Sequence, residues 1–300
     1  MINVYEQVDR NKRRSFLVIF LFISFITVAA WGLAKALGYG SGIIGWALVF
    51  SGFISFASYW WSDKIILAIS KARPADKKRD FQFFTVAENI SLASQIPLPK
   101  LYVIQDSAPN AFATGRNINH AVVCVTTGLL SKLNRTELEG VVAHEISHIK
   151  NYDMLLMSIV TILVGMIVLI SDWFTRGAFF GGNRRDRNEG SLGAIFFLIG
   201  LILALLSPLI AKLIQLALSR RREFLADASA VRITRFPDGL IKALQKISKD
   251  QESLEVANKA TAHLFIVNPF KGNQLKTGIA HLFNTHPPVE QRIKILKEMV

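Results

Sequence analysis

The stretch Thr136-Glu-Leu-Glu-Gly-Val-Val-Ala-His-Glu-Ile-Ser-His-Ile-Lys150 is the part of this 300-residue chain around which the rest is organised. Its apolar residues recur with the period of a helix, and Thr136 with Glu139 predicts a capping box at its start. Residues four apart on a helix share one face, so His144 and His148 can direct their imidazoles at one ion. The stretch therefore predicts a helix that carries two metal ligands.

Glu145 follows the first histidine and completes the spacing H-E-x-x-H, which is typical of zinc metalloproteases. A catalytic zinc has three protein ligands and one water, whose pKa it lowers to about 7. From the neighbouring position Glu145 can reach that water and take its proton. Two ordinary surface histidines on an amphipathic helix are the alternative, but both histidines lie beside the apolar stripe, which favours a metal site.

A third ligand can come from Ser219-Arg-Arg-Arg-Glu-Phe-Leu-Ala-Asp227, which is also predicted to be helical. Glu223 and Asp227 are four residues apart and share a face. Glu223 would complete a His2Glu ligand set, and Asp227 would accept a hydrogen bond from a ligating histidine. Pairing of both carboxylates with the adjacent arginines is the alternative. The ligand role is favoured because two hydrophobic runs return the chain towards the first helix.

Hydropathy indicates a membrane protein. Hydrophobic residues make up 51% of the chain and the mean hydropathy is +0.34, which is unusual for a soluble enzyme. An uncharged apolar run of about 17–25 residues can cross the hydrocarbon core of a bilayer as a helix. The first run lacks a clear cleavage site and is closely followed by the second, so it is not predicted to be a cleaved signal sequence. Four runs are present, at residues 15–34, 43–61, 154–170 and 192–210.

The positive charge is better explained by membrane topology than by nucleic acid. The net charge is +13, but basic residues gather before the first run and after the second, without interleaved aromatic side chains. Both of these regions are therefore predicted to be cytoplasmic. The arginine-rich loop at 171–191 would then be external, which the positive-inside rule disfavours, so a second hairpin that only dips into the membrane is the alternative. The single cysteine, Cys124, cannot form an intrachain disulfide and fits a reducing compartment.

The region between the second and third runs is predicted to contain a small sheet. Residues 81–95 are predicted to be a helix, residues 101–104 a strand, and residues 110–126 a hairpin. Asp153 either supports a ligating histidine or caps the next helix, and capping is favoured. An edge strand beside a metal cleft can bind an extended substrate by β-addition, with plain scaffold as an equal alternative. The tentative substrate-binding residues are Asn110, Ala111, Phe112 and Ala113.

The C-terminal region offers His286, which two prolines follow, and Arg292. Such groups can stabilise the oxyanion of a tetrahedral intermediate. His144-Glu-Ile-Ser-His148, Ser219-Arg-Arg-Arg-Glu-Phe-Leu-Ala-Asp227 and Thr285-His-Pro-Pro288 together resemble the HtpX family of bacterial heat-shock-related membrane zinc proteases, relatives of the CAAX prenyl proteases. The resemblance covers nearly the whole chain. It implies zinc ligands at His144, His148 and Glu223, a general base at Glu145, a supporting aspartate at Asp227, and a transition-state pair at His286 and Arg292.

The expected fold is a mainly α membrane protein with four hydrophobic helices and a cytoplasmic, zincin-type α+β protease domain that contains a small β-sheet. The resemblance also implies the bacterial cytoplasmic membrane, an active site that faces the cytoplasm, one zinc ion, and misfolded or damaged membrane proteins as polypeptide substrates. The expected divisions are 1–14 as a cytoplasmic basic lead, 15–61 as a transmembrane hairpin, 62–153 as the first part of the protease domain, 154–210 as a second hydrophobic hairpin, and 211–300 as the second part of the protease domain.

Two other functions are compatible with part of the pattern. An intramembrane protease of the site-2 kind also uses H-E-x-x-H, but Glu137, Glu139 and Lys150 bracket the motif here and place it at or outside the membrane surface. A non-enzymatic membrane scaffold would close the zinc site with a fourth protein ligand, for which Cys124 is the candidate. The number of protein ligands at the site distinguishes a structural zinc site from a catalytic one.

Overall fold

The computed structural model describes residues 4–36, 42–180, 220–257, 261–270 and 287–299. Within these ranges the chain is mostly helical and contains one small sheet, as predicted. Short 3-10 turns cover Ile118–His120 and Ala262–Leu264. The helices are α1 (Val4–Ala36), α2 (Gly42–Trp60), α3 (Ser62–Ile69), α4 (Phe81–Ser94), α5 (Thr127–Lys132), α6 (Arg135–Lys150), α7 (Asp153–Phe180), α8 (Arg220–Thr234), α9 (Pro237–Lys249) and α10 (Val289–Lys297). The strands are β1 (Arg73–Pro74), β2 (Lys100–Ile104), β3 (Ala111–Gly115) and β4 (Ala121–Thr126).

The four strands form one mixed sheet in the order β1-β2-β4-β3. Strand β2 runs parallel to β4, whereas β3 and β4 are antiparallel neighbours, with Ala111 opposite Val125 and Gly115 opposite Ala121. The predicted hairpin is therefore confirmed. Among the described strands, β3 is an edge strand, so no other strand pairs with the backbone groups on its outer side.

Helices pack on both faces of this sheet because side chains alternate along its buried strands. Val123 and Val125 face a core shared with α4, α6 and α9. Cys124 and Phe112 face the opposite core, which α1, α3 and α7 complete. Helix α6 therefore lies against the sheet on one side, and α7 lies against it on the other.

Helix α6 begins slightly earlier than the sequence predicted. Its N-cap is Asn134, whose side chain accepts a hydrogen bond from the Glu137 N–H at 3.0 Å, while the Glu137 carboxylate accepts one from the Asn134 N–H at 2.8 Å. The predicted capping box of Thr136 and Glu139 was wrong, because asparagine caps more strongly than threonine and has glutamate at the required spacing. Glu139 instead pairs with Arg135 at 3.0 Å.

Helices α6 and α7 meet at a sharp bend. Tyr152, between them, has a φ of 58°, a left-handed conformation that is uncommon for a residue other than glycine. Among the described residues no single helix has the length and apolarity needed to cross a bilayer, and α6 with Asp153–Met166 meets that test only as a pair bent by 84°. The predicted run at 192–210 lies outside the described residues, and the predicted spans stay predictions.

Candidate metal centre

Two neighbouring helices bring three donor side chains together. His144 and His148 lie one turn apart on α6, and Glu223 lies in the first turn of α8. The two Nε2 atoms are 3.2 Å apart. Glu223 Oε2 lies 3.7 Å from His144 Nε2 and Glu223 Oε1 lies 3.6 Å from His148 Nε2. Each of the three residues is at most 5% exposed, so the donor atoms lie in a site that is shielded from solvent.

These donors fit a single metal ion. One donor atom from each of the three residues can be chosen so that all lie within 4.8 Å of one another. Ligand atoms about 2.1 Å from a tetrahedral zinc are ~3.4 Å apart, which matches the observed separations closely. Imidazole nitrogens with one carboxylate form the donor set of catalytic zinc sites. Cys124 is not part of this cluster among the described residues.

A carboxylate contacts the Nδ1 atom of each imidazole. His144 Nδ1 lies 2.9 Å from Asp227 Oδ1, and His148 Nδ1 lies 3.2 Å from Asp153 Oδ2. A carboxylate on Nδ1 fixes the tautomer and leaves Nε2 free to bind a metal. Asp227 thus occupies the position that the sequence predicted for it. Asp153 is the first residue of α7 and also contacts His148. Its position is that of a residue that supports a histidine, which was the less favoured of its two predicted roles.

Arg292 is fully buried behind His144. Its Nε and Nη2 donate to the two oxygens of Asp227 at 2.8 and 2.6 Å, and its Nη1 donates to the backbone oxygen of Ile266 at 3.1 Å. Nη1 also lies 3.9 Å from Glu223 Oε2. The guanidinium therefore clamps the aspartate that holds His144, and its charge balances the buried carboxylates.

Two polar side chains support the Asp153 carboxylate that contacts His148. Asn11 of α1 donates to Asp153 Oδ1 at 2.7 Å. Arg222 Nη1 donates to the Asn11 side-chain oxygen at 3.2 Å and lies 3.5 Å from Asp153 Oδ1. Asn11 was not predicted from the sequence, because only the tertiary structure brings a residue before the first hydrophobic run to this site.

Glu145 lies between the donors and strand β3. It is 3% exposed, and the backbone N–H of Ala113 interacts with its carboxylate. Burial, with a further contribution from Glu223, raises the pKa of Glu145 to about 7, despite the opposing charges of His148 and Arg292. A carboxyl group that titrates near neutral pH can accept and return a proton.

The two histidines have opposite pKa shifts. Burial, together with the charge of Arg292, lowers the pKa of His144 to about 4. Burial also opposes protonation of His148, but the hydrogen bond to Asp153 and the charge of Glu223 raise its pKa to about 9. Burial opposes ionisation of Asp227, but Arg292 and His144 outweigh it and lower that pKa to about 2.

The remaining predicted site residues are the four substrate-binding candidates at β3 and His286. Ala111, Phe112 and Ala113 lie on β3 and are buried, and Asn110 precedes them. Ile266 N–H already donates to the Ala111 oxygen at 2.9 Å, so part of the predicted substrate-binding edge is occupied by the chain itself. His286 lies outside the described residues, and its role stays a prediction.

Comparisons with known proteins identify relatives along the whole chain. Residues 77–300 match the family described as peptidase family M48. The protease HtpX homolog of Dictyoglomus thermophilum is 43% identical over 297 residues, which cover 98% of this chain and 94% of the relative. That of Caldanaerobacter subterraneus subsp. tengcongensis is 43% identical over 300 residues, 99% of this chain and 98% of the relative. The crystal structure of S. mikatae Ste24p matches with a TM-score of 0.48 and 18% identity, over 97% of this chain and 67% of that chain. The predicted resemblance to HtpX proteases is confirmed.

Proposed function

The chain belongs to peptidase family M48, and on that premise we propose that it is a membrane-bound zinc endopeptidase that cleaves misfolded or damaged membrane proteins. The observation that carries the proposal is the buried cluster of His144, His148 and Glu223, in which a carboxylate holds each imidazole. A peptidase acts on polypeptides. The choice of membrane proteins as substrates is supported by the apolar runs of the chain, which would place the protease at a membrane.

The proposed mechanism assigns one task to each side chain. His144, His148 and Glu223 would hold zinc, which when bound would polarise the scissile carbonyl and lower the pKa of a water. Glu145 takes the proton of the attacking water and returns it to the leaving amine. Its burial beside the ligands and next to the Ala113 N–H supports this role.

The oxyanion and the substrate backbone are assigned to residues around this centre. His286 and Arg292 are proposed to stabilise the developing negative charge. The contacts of Arg292 with Asp227 support a positioning role as well, because two guanidinium nitrogens are already engaged there. The proposal also keeps the stretch from Asn110 to Ala113 as the place where an extended substrate adds to the sheet. The edge position of β3 in the described sheet supports this, although Ile266 N–H already donates to the Ala111 oxygen and a substrate would have to add beyond that contact or displace it.

The proposed topology follows the sequence. Residues 15–61 and 154–210 anchor the chain in the cytoplasmic membrane, and the protease domain, formed by 62–153 and 211–300, faces the cytoplasm. In this arrangement the second hydrophobic hairpin returns α8 to α6. An intramembrane active site is disfavoured by the charged and polar residues around the motif. A closed structural zinc site is disfavoured because the described cluster has three protein donors, which leaves a position for water.

Cleavage by purified protein tests the proposal. In detergent, Glu145→Ala is expected to retain one zinc per chain and to lose at least about a hundredfold in cleavage of an unfolded substrate, as expected for a general base. Glu223→Ala is expected to lose zinc by elemental analysis. Glu139→Ala, on the same helix but partly exposed, is the matched control and is expected to keep both zinc and activity. Full activity of Glu145→Ala, or an unchanged zinc content of Glu223→Ala, would refute the assignment.

A further inference from the structure

Asn11 is a buried side chain that connects the N-terminal helix to the metal centre. It is 3% exposed, and its Nδ2 donates to Asp153 Oδ1 at 2.7 Å and to the backbone oxygen of Asn151 at 3.0 Å. The other oxygen of Asp153 lies 3.2 Å from His148 Nδ1. Asp153 is therefore the single side chain that separates Asn11 from a proposed metal ligand.

The surroundings of Asn11 allow only one orientation of its amide. Arg222 Nη1 donates to the Asn11 oxygen at 3.2 Å, while a carboxylate and a carbonyl accept from the nitrogen. If the amide were reversed, its nitrogen would face a guanidinium and its oxygen would face two acceptors, and all three hydrogen bonds would be lost. The orientation of the donor to Asp153 is thus fixed by Arg222 and the Asn151 carbonyl as well as by Asp153 itself.

The same amide bridges the bend between α6 and α7. Asn151 ends α6, Asp153 begins α7, and Tyr152 between them has a left-handed backbone with φ of 58°. An uncommon conformation of this kind persists only where surrounding contacts stabilise it. By binding Asn151 and Asp153 together, Asn11 holds the bend in which the aspartate reaches back to His148.

We propose that Asn11 is a positioning residue of the metal centre, which acts through Asp153 to orient His148 for the metal ion. The inference rests on the proposed function, because it requires His148 to be a ligand. Loss of a residue that supports a ligating histidine typically lowers metal affinity 10–100-fold. Asn11 acts one contact further out, so about tenfold is expected. Helix α1, which precedes the region matched to M48, then forms part of the site.

The test compares zinc affinity across a set of variants in the full-length protein. Asn11→Ala removes the donor, and Asn11→Leu removes it while keeping a similar volume. Asn117→Ala is the matched control, because Asn117 also makes hydrogen bonds through its side chain but caps the β3–β4 turn instead. Zinc affinity is measured by competition with a zinc-binding dye, and kcat and KM are measured on a fluorogenic peptide.

Both Asn11 variants are expected to bind zinc about tenfold more weakly and to lose kcat at unchanged KM, whereas Asn117→Ala stays within about twofold of wild type. In an Asp153→Ala background, Asn11→Ala is expected to have no further effect on zinc affinity, because the contact through which it acts is gone. A wild-type affinity in Asn11→Ala or a full additive loss in the double variant would overturn the proposal. So would wild-type affinity in Asn11→Leu, which would show that only packing matters. Failure of the wild type itself to bind zinc would instead refute the proposed function.

Discussion

The buried ion pair of Asp227 and Arg292 gives the sharpest prediction about the metal centre. Asp227→Ala removes both acceptors of the guanidinium, at 2.8 and 2.6 Å, and also the acceptor for His144 Nδ1 at 2.9 Å. Arg292 has no exposed surface, so bulk water does not solvate the guanidinium in place of the carboxylate. Its remaining polar neighbours are the Ile266 oxygen, Glu223 at 3.9 Å, and the two ring nitrogens of His144, each 3.4 Å from Nη2.

The expected cost follows from leaving a charge buried without its main partner. Breaking such a pair from one side costs about 3–5 kcal/mol. At roughly 2–4 °C per kcal/mol for proteins of about 150–250 residues, this corresponds to a fall in Tm of roughly 6–20 °C. Tryptophan fluorescence at a fixed heating rate, in detergent and with chelator present, measures this shift without a contribution from metal.

Two further variants decide whether the pair is the cause. Asp227→Ala/Arg292→Met removes both charges and is expected to be more stable than Asp227→Ala alone, because the buried guanidinium no longer lacks its main partner. Asp238→Ala removes an exposed aspartate from the first turn of α9 and is expected to cost at most about 1 kcal/mol. A Tm of Asp227→Ala within 2 °C of wild type, or a double variant less stable than Asp227→Ala, would refute the reasoning.

Three more changes follow from the packing of the described residues. In Gly140→Ala the new Cβ would lie 2.7 and 2.8 Å from the backbone N and Cα of Leu240, so α6 and α9 must separate. We expect the free energy of unfolding to fall by about 1–3 kcal/mol, measured by thermal unfolding. An unchanged Tm would contradict this close crossing. Asn134→Ala removes the N-cap of α6 and should cost about 0.5–2 kcal/mol by the same assay, whereas equal stability would show that the cap contributes nothing. Burial opposes ionisation of Asp80, but hydrogen bonds from Arg73 and from the Asp76 N–H outweigh it and lower the pKa of Asp80. The stability that this carboxylate contributes is therefore present above the unfolded pKa of 3.8 and is lost as the pH falls through the lower folded value. Asp80→Asn should be less stable than wild type by up to about 1 kcal/mol at pH 7, and this difference in stability should shrink below pH 4. A difference that stays constant with pH would contradict the lowered pKa of Asp80.

The sequence predicted those features that depend on local pattern. The spacing of His144 and His148 required a helix, and the hydrophobic stripe indicated which side of it would be buried. Glu223 and Asp227 could be paired with this helix because their own spacing defines a face, and a carboxylate completes a known donor set. The hairpin of β3 and β4 was predictable because two apolar segments flank a short polar turn.

Contacts between distant parts of the chain were not predictable in the same way. Asn11 and Asp153 are 142 positions apart, and no periodicity connects them. Arg222 adjoins Glu223 in the sequence, which suggested a local ion pair, but adjacent helical residues point about 100° apart. In the structure Arg222 faces Asn11 and Asp153, while Glu223 faces the two histidines.

The two imidazoles are consequently supported by different ends of the chain. His144 depends on Asp227 and Arg292, which belong to α8 and α10, whereas His148 depends on Asp153 and through it on α1. Because a metal ion needs both imidazoles at once, its affinity reports whether both ends are correctly docked on α6. A perturbation of α1 should therefore weaken metal binding even though α1 supplies no ligand in the proposed site. Coupling of this kind would link metal binding to the packing of the N-terminal helix α1 against α7 and the rest of the site.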